Sequence, residues 1–185
     1  MRQTIWLLVL LLASASVGVA QESKRGGYAG EERREIKSLS AEEVEGLLQG
    51  RGMGLARAAE LNHYPGPHHV LELAERLELT AEQRAGAQAA FEKMRARAIL
   101  HGAKIVELER ELDELFAKGQ IEDARMRELT AEIGQAQGLL RAAHLAAHLE
   151  MRRLLSPRQI ARYDELRGYT TGRKTGAAHD GHGKH

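Results

Sequence analysis

Cysteine is absent from all 185 residues of this chain. Its absence excludes a disulfide framework, a thiolate metal ligand, a thiol nucleophile and a lipobox cysteine that could carry a lipid. Aromatic residues make up only 4% of the chain, and its one tryptophan, Trp6, lies within the first twenty residues. A core built by the remainder of the chain must therefore depend on leucine and alanine.

The sequence motifs of common enzyme classes are absent too. The chain contains no G-x-x-x-x-G-K-[ST] or G-x-G-x-x-G loop for phosphate groups and no G-x-S-x-G elbow for a serine nucleophile. Its carboxylates alternate with arginines, which is the pattern of solvated ion pairs along helix faces. We therefore predict that the protein is not an enzyme.

The first twenty residues have the pattern of a secretory signal peptide. Arg2 supplies a short positive region, and the apolar run Ile5–Ala13 is followed by small residues. Cleavage is predicted after Ala20, with Ala15 as the other candidate, and an uncleaved membrane anchor is the alternative. No later segment is apolar enough to cross a membrane, so we predict an exported protein whose mature chain has no transmembrane segment.

A charge excess of either sign is also lacking. Removing Arg2 with the signal peptide leaves the basic residues equal in number to the 26 acidic ones. A nucleic-acid-binding protein normally shows a basic excess. We therefore predict no nucleic-acid partner.

Proline is scarce, and glycine is concentrated towards the ends. The three prolines, Pro65, Pro67 and Pro157, fall at apparent boundaries, and glycines crowd residues 26–54 and 168–183. The middle is rich in alanine, leucine, glutamate, arginine and glutamine, which are strong helix formers, and no window alternates with period two. The fold class predicted is all-α.

Two apolar stripes predict a long antiparallel helical hairpin over residues 81–155. Their steps of three and four residues resemble the seam of a coiled coil. A short loop around residues 118–120 joins the two arms, each of roughly 35 residues and roughly 50 Å. The first stripe consists of Ala87, Phe91, Met94, Ala98, His101, Ile105, Leu108, Leu112 and Leu115; the second consists of Leu129, Ile133, Ala136, Leu140, Ala143, Ala147, Met151 and Leu154.

Short flanking helices are predicted from Pro67 to Leu79 and from Pro157 to Gly168. They do not account for all the apolar surface, because Leu139, Leu145 and Leu149 lie off the main stripe of the second arm. Exposed apolar surface commonly marks a partner interface. We therefore predict a homodimer, either intertwined or antiparallel.

A helix-capping signal occurs twice, as "LTAEQ" (79–83) and "LSPRQ" (155–159). In each, a hydroxyl residue at the N-cap precedes a glutamine by three residues, the spacing of a capping box, so Thr80 pairs with Gln83 and Ser156 with Gln159. A third, weaker copy is "LSAEE" (39–43). These residues are predicted to be structural caps at the beginnings of helices.

The two motifs, placed at the start of a helical hairpin and just after it, resemble those of the Spy/CpxP family of periplasmic stress proteins, which is marked by two L-T-x-x-Q motifs and includes heavy-metal-sensor and zinc-resistance-associated members. The resemblance covers residues 67–169. It implies a curved, all-α antiparallel dimer in the periplasm that protects unfolded proteins without ATP or senses heavy metals. The predicted layout is then a signal peptide (1–20), a flexible segment with one or two short helices (21–66), the helical domain (67–169) and a disordered His/Gly-rich tail (170–185).

Nine histidines supply the candidate metal ligands. His144 and His148 are four residues apart and therefore share a helix face, where Met151 could complete an N,N,S set. Packing is the competing interpretation, since Met151 lies on the apolar stripe and the related sensors carry a histidine where this chain has Ala147. The seam residue His101 is predicted to set register rather than to bind metal. The other candidates are His63, His68 and His69 around a Pro-Gly turn, and His179, His182 and His185 in the tail.

The function predicted is that of a periplasmic metal-responsive stress protein that binds a divalent transition metal, Zn, Ni, Co or Cu, through histidines. One alternative is an ATP-independent periplasmic chaperone that holds unfolded clients on a mixed basic and apolar face. The basic residues available for it are Arg84, Lys93, Arg95, Arg97 and Lys104. The other alternative is a regulatory partner of a membrane-bound envelope-stress signalling protein.

Overall fold

The computed structural model describes residues 27–169, and these contain six α-helices and no strand. The all-α prediction is confirmed. The predicted signal peptide (1–20) and the predicted His/Gly-rich tail (170–185), with its three histidines, lie outside the described residues. No helix within residues 27–169 combines the length and the apolar character needed to span a bilayer.

The chain divides into two compact units between Glu32 and Arg33. The described part of the first unit, residues 27–32, is a turn in which the Gly30 amide donates to the Glu32 carboxylate over 2.5 Å. A 3₁₀ turn spans Glu31–Arg33. The second unit contains every helix discussed below.

Two long helices, α4 (Ala81–Ala117, 37 residues) and α5 (Asp123–Leu154, 32 residues), pack together as the predicted hairpin. Gly119 has φ +64° in the connection between them, a conformation that glycine adopts without steric cost. The predicted stripes supply most of the buried residues of both helices, from Ala87 to Leu108 in α4 and from Leu129 to Met151 in α5. The other buried residues lie beside the stripes: Ala90, Gly102, Val106, His144 and His148. The periodicity of the sequence therefore identifies the contact surface of the hairpin.

Both predicted capping boxes are present. The Thr80 hydroxyl accepts from the Gln83 amide over 3.1 Å, and the Gln83 side chain accepts from the Thr80 amide over 3.1 Å. At the start of α6 (Pro157–Arg167), Ser156 and Gln159 make the same pair of bonds, over 3.3 and 2.9 Å. Each box satisfies backbone donors that a helix N-terminus otherwise leaves unpaired.

The two capping glutamines also bind each other. The Nε2 of Gln83 donates to Oε1 of Gln159, and the Nε2 of Gln159 donates to Oε1 of Gln83, both over 2.9 Å. The remaining amide protons go to the carbonyls of Leu154 and Leu77, over 3.0 and 3.1 Å. This amide pair joins the two repeated motifs directly and holds the start of α4 against the junction of α5 and α6.

The first helix, α1 (Ala41–Gln49), packs on α4 with very little clearance. Its N-cap Ser40 forms a capping box with Glu43, as the third motif suggested. A Cβ added to Gly102 of α4 would lie 2.2 Å from the carbonyl oxygen of Leu47, so only glycine permits this approach. Lys37, before α1, binds Asp113 of α4 through both its amide and its ammonium, each over 3.1 Å.

Two short helices, α2 (Arg57–Glu60) and α3 (Pro67–Glu72), lie between α1 and the hairpin in sequence. The helix predicted from Pro67 to Leu79 is too long: α3 ends at Glu72, and turns occupy residues 73–78. Glu78 has φ +52°, a left-handed conformation that interrupts the helix before the next cap. The shortened helix packs on the first half of α4, where His68 stacks on Phe91.

Candidate functional site

A cavity of about 740 Å³ lies where the loop after α1, helices α2 and α3, and the two long helices meet. Four of its lining residues are histidines that come from two separate parts of the chain. His68 and His69 belong to α3, and His144 and His148 belong to α5. The fold thus brings two of the predicted histidine groups to one pocket.

His144 and His148 are buried, with 5% and 8% of their surface exposed. His148 Nδ1 lies 2.7 Å from the carbonyl oxygen of Tyr64, which can only accept a hydrogen bond. Nδ1 must therefore carry a proton, and Nε2 is the nitrogen left for another partner. Gly66 borders that nitrogen, because a Cβ at this position would lie 3.2 Å from it.

The His144 ring makes no hydrogen bond within residues 27–169, and its Nε2 is fully buried. Burial lowers the pKa of His144 below its ordinary value, and the neighbouring His148 lowers it further. The ring is therefore neutral at neutral pH and keeps one nitrogen lone pair. Its Cε1 and Nδ1 edge faces Gly52, where an added Cβ would lie 3.8 Å away.

The side chains of His68, His69 and Glu72 offer three donor atoms within 4.8 Å of one another. Glu72 Oε1 lies 3.3 Å from Nε2 of His68, and Glu72 Oε2 lies 2.7 Å from Nδ1 of His69. The His69 hydrogen bond lowers the pKa of the Glu72 carboxyl, so this group is an anion at neutral pH. The His68 ring also stacks on Phe91, with ring centroids 5.7 Å apart.

Glu72 is a candidate ligand that sequence reasoning missed. Its signal was present, because Glu72 follows His68 by four residues and His69 by three, the two spacings that share a helix face. The ligands predicted above are histidines and one methionine, and Glu72 is not among them. Its carboxylate adds a negatively charged donor to the two imidazole rings.

Other predicted ligands lie apart from the pocket. Met151 is 1% exposed and packs in a core cluster with Val70 and Tyr163. His63 is turned towards α6, where its Nδ1 lies 2.7 Å from the Asp164 carboxylate. His101 is partly exposed on α4 and does not line the cavity.

Glu60 of α2 anchors a polar network at the pocket wall. Its carboxylate accepts from the hydroxyls of Tyr163, over 2.5 Å, and Tyr169, over 3.1 Å. It also lies 3.5 Å from Nε of Arg167 and 3.7 Å from Nδ1 of His148. Burial raises the pKa of the Tyr163 hydroxyl, so the hydroxyl remains a donor to Glu60. The network fixes α2 against α5 and α6 beside the histidines.

Comparisons with protein-family models, with curated proteins and with solved structures find no match to this chain. The resemblance to periplasmic stress proteins therefore remains a prediction from the two capping motifs. Function has to be argued from the pocket and its donor atoms.

Proposed function

We propose that the protein is a metal-responsive stress protein of the periplasm that binds a divalent transition metal at the α3 wall of this pocket, where His68 and His69 line the cavity and Glu72 lies beside them. The convergence of donor atoms from His68, His69 and Glu72 within 4.8 Å carries the proposal. Two imidazoles and one carboxylate suit Zn²⁺, Co²⁺ and Ni²⁺, and three ligands leave a position open for water or a further side chain.

The α5 histidines supply further nitrogen donors on another wall of the same pocket. Metal-binding histidines commonly donate their second ring N–H to a carbonyl or carboxylate, which fixes the orientation of the ring. The bond from His148 to the Tyr64 carbonyl has this arrangement. His144 adds a neutral ring whose nitrogens have no partner within the described residues.

Metal binding would couple α3 to α5 if His144 or His148 completed the ligand set that α3 supplies. An ion that joined these helices would stabilise the folded chain by an amount that rises with the logarithm of its concentration above Kd, roughly 2.7 kcal/mol at a hundred times its Kd. An ion held between α3 and α5 would favour the arrangement of these helices that binds it, and a signalling partner could sense the metal through that population shift.

Isothermal titration with Zn²⁺, Co²⁺, Ni²⁺ and Cu²⁺ tests the proposal on the chain that begins at Gln21. The combined His68→Ala and Glu72→Gln substitutions should weaken binding by about tenfold or more, since ligand or supporting groups typically contribute 10–100-fold. A second variant, His144→Ala with His148→Ala, measures the contribution of α5. His101→Ala serves as the control histidine outside the pocket.

A chain ending at Gly176 removes His179, His182 and His185 and separates the pocket from the tail. Binding that survives in this shortened chain but fails in the α3 variant supports the pocket. Binding abolished by the truncation alone would sink the pocket proposal and move the site to the tail.

The exposed apolar side chains on the hairpin favour a chaperone as the second candidate function. Leu100, Phe116 and Leu139 expose 66%, 55% and 46% of their surface. Exposed Lys93 and Lys104 lie on α4, so the hairpin carries both apolar and basic groups. Light scattering tests this function: one dimer equivalent of the protein is added to an aggregating client protein. Aggregation at the same rate as without the protein would exclude the chaperone function.

A further inference from the structure

The cavity also carries an excess of positive charge, because four arginines line it and its only lining carboxylate among the described residues is that of Glu60. Arg167 lies 3.5 Å from Glu60, and Arg51 lies 3.3 Å from Glu45. The guanidinium groups of Arg57 and Arg95 make no ion pair or hydrogen bond with any part of the chain that the structure describes. Two cations at the pocket are therefore without an internal counter-charge.

Unpaired arginines also occur on the open surface of this protein, so the position of Arg57 and Arg95 is what matters. Both line a cavity whose wall also includes the large apolar side chains of Met53, Phe91 and Met94. Met53 is 47% exposed, so apolar surface is open to a ligand. A concave, largely apolar pocket with a few charged groups is typical of small-molecule sites, and its volume of about 740 Å³ is within their usual range.

A buried polar group on the same wall points independently to a ligand. His144 lines the cavity, is 5% exposed and has no hydrogen-bond partner for its ring within residues 27–169. A neutral imidazole has one N–H to donate, and a buried donor without a partner costs free energy. A ligand oxygen would satisfy it.

We propose that the pocket binds a small amphipathic monocarboxylate. Its carboxylate pairs with Arg57 and Arg95, and its apolar body lies against Phe91 and Met94. Guanidinium groups bind carboxylates through strong, charge-assisted hydrogen bonds. Two guanidinium groups match the two oxygens of one carboxylate, and the apolar part of the wall favours a ligand with a single charged group. This function goes beyond metal binding and needs no metal.

Calorimetric titration with decanoate, below its micelle concentration and with protein stripped of metal by EDTA, tests the proposal. Decanol and decyltrimethylammonium have the same chain length without the carboxylate. Decanoate should bind at least tenfold more tightly than either, and the combined Arg57→Gln and Arg95→Gln variant should lose about tenfold in affinity, since one hydrogen bond to a charged group can account for such a change. The matched control is Arg97→Gln with Arg153→Gln, which removes two arginines outside the pocket.

Equal binding of decanol and decanoate would overturn the proposal, as would the absence of binding or an unchanged affinity in the pocket variant. Circular dichroism melting of each variant separates lost binding from lost fold. The Glu72→Gln variant distinguishes this site from the metal site: it should lose metal affinity and keep decanoate affinity in EDTA. Its failure to bind decanoate would show that the arginine site is not independent, which would also overturn the proposal.

Discussion

At the scale of single residues, the pocket depends on small side chains beside the α5 histidines. Gly66 has ordinary extended dihedral angles, φ −88° and ψ 141°, so its backbone does not require glycine. A Cβ there would nevertheless lie 3.0 Å from Cε1 and 3.2 Å from Nε2 of His148. The hydrogen atom of Gly66 thus leaves the free ring nitrogen of His148 accessible.

Replacing Gly66 with alanine should therefore reduce Zn²⁺ affinity by about tenfold if His148 is a ligand, because supporting groups commonly contribute 10–100-fold. Titration calorimetry measures the change. Gly134→Ala on α5 is the matched control, since no atom lies within 4 Å of its added Cβ. Equal affinity in the two variants would remove His148 from the ligand set.

Protonation of His144 provides the pH prediction at this scale. Its pKa is lower in the folded chain than the ordinary value of 6.5, so the unfolded chain binds more protons as the pH falls below that value. Stability due to the neutral ring is complete above pH 6.5 and is lost as the pH decreases towards the folded pKa. In EDTA, the melting temperature should fall from pH 7.5 to pH 5.5 by less in His144→Gln than in the unsubstituted chain. Parallel curves would contradict this assignment.

At the scale of helices, the amide pair between Gln83 and Gln159 makes the two repeated motifs interdependent. Gln83→Ala should destabilise the fold by about 1–3 kcal/mol, because the Thr80 amide and the Leu154 carbonyl would lose their bonds to Gln83 and Gln159 would lose two of its four. Removing both glutamines should cost less than the sum of the single changes. Urea unfolding of the double-mutant cycle measures the difference. Gln88→Ala, which breaks only an exposed bond to Glu92, is the control.

The contact between α1 and α4 depends on Gly102, which has no side chain to separate the two helices. Gly102→Ala places a methyl group against the Leu47 backbone, which cannot move aside as a flexible side chain can. We expect a loss of about 1–3 kcal/mol, typical of overpacking, together with faster amide hydrogen exchange in α1. Gly138→Ala has open space around its Cβ and should stabilise α5 slightly. Unchanged exchange in α1 would show that the contact is not tight.

The sequence predicts those parts of the fold and of the site whose signals lie within a few neighbouring residues. Periodicity and capping spacing report on neighbouring turns, which is why the hairpin and the three capping boxes are predicted correctly. The pairing of Gln83 with Gln159 is a contact across 76 positions and leaves no local trace. The pocket cannot be predicted from local patterns either, because α2, α3 and α5 meet only in the folded chain. Glu72 is different, because its spacing of four residues from His68 is a local signal that places both side chains on one helix face.

At the scale of the whole molecule, the apolar side chains left exposed on the hairpin motivate the proposed dimer. Leu100, Leu139 and Leu149 remain 66%, 46% and 46% exposed. Light scattering coupled to size exclusion should give twice the mass of the chain that begins at Gln21, and Leu139→Glu with Leu149→Glu should shift the mass towards that of one chain. A monomeric mass at high concentration would contradict the dimer.

The amide pair of Gln83 and Gln159 has a further consequence for a chain without cysteine. It joins residues 76 positions apart and so encloses the whole hairpin in a loop, as a covalent cross-link would. Unlike a disulfide, this closure exchanges no electrons and can open and re-form with each unfolding event. Its strength is therefore independent of the redox potential, so a reducing agent should leave the melting temperature unchanged.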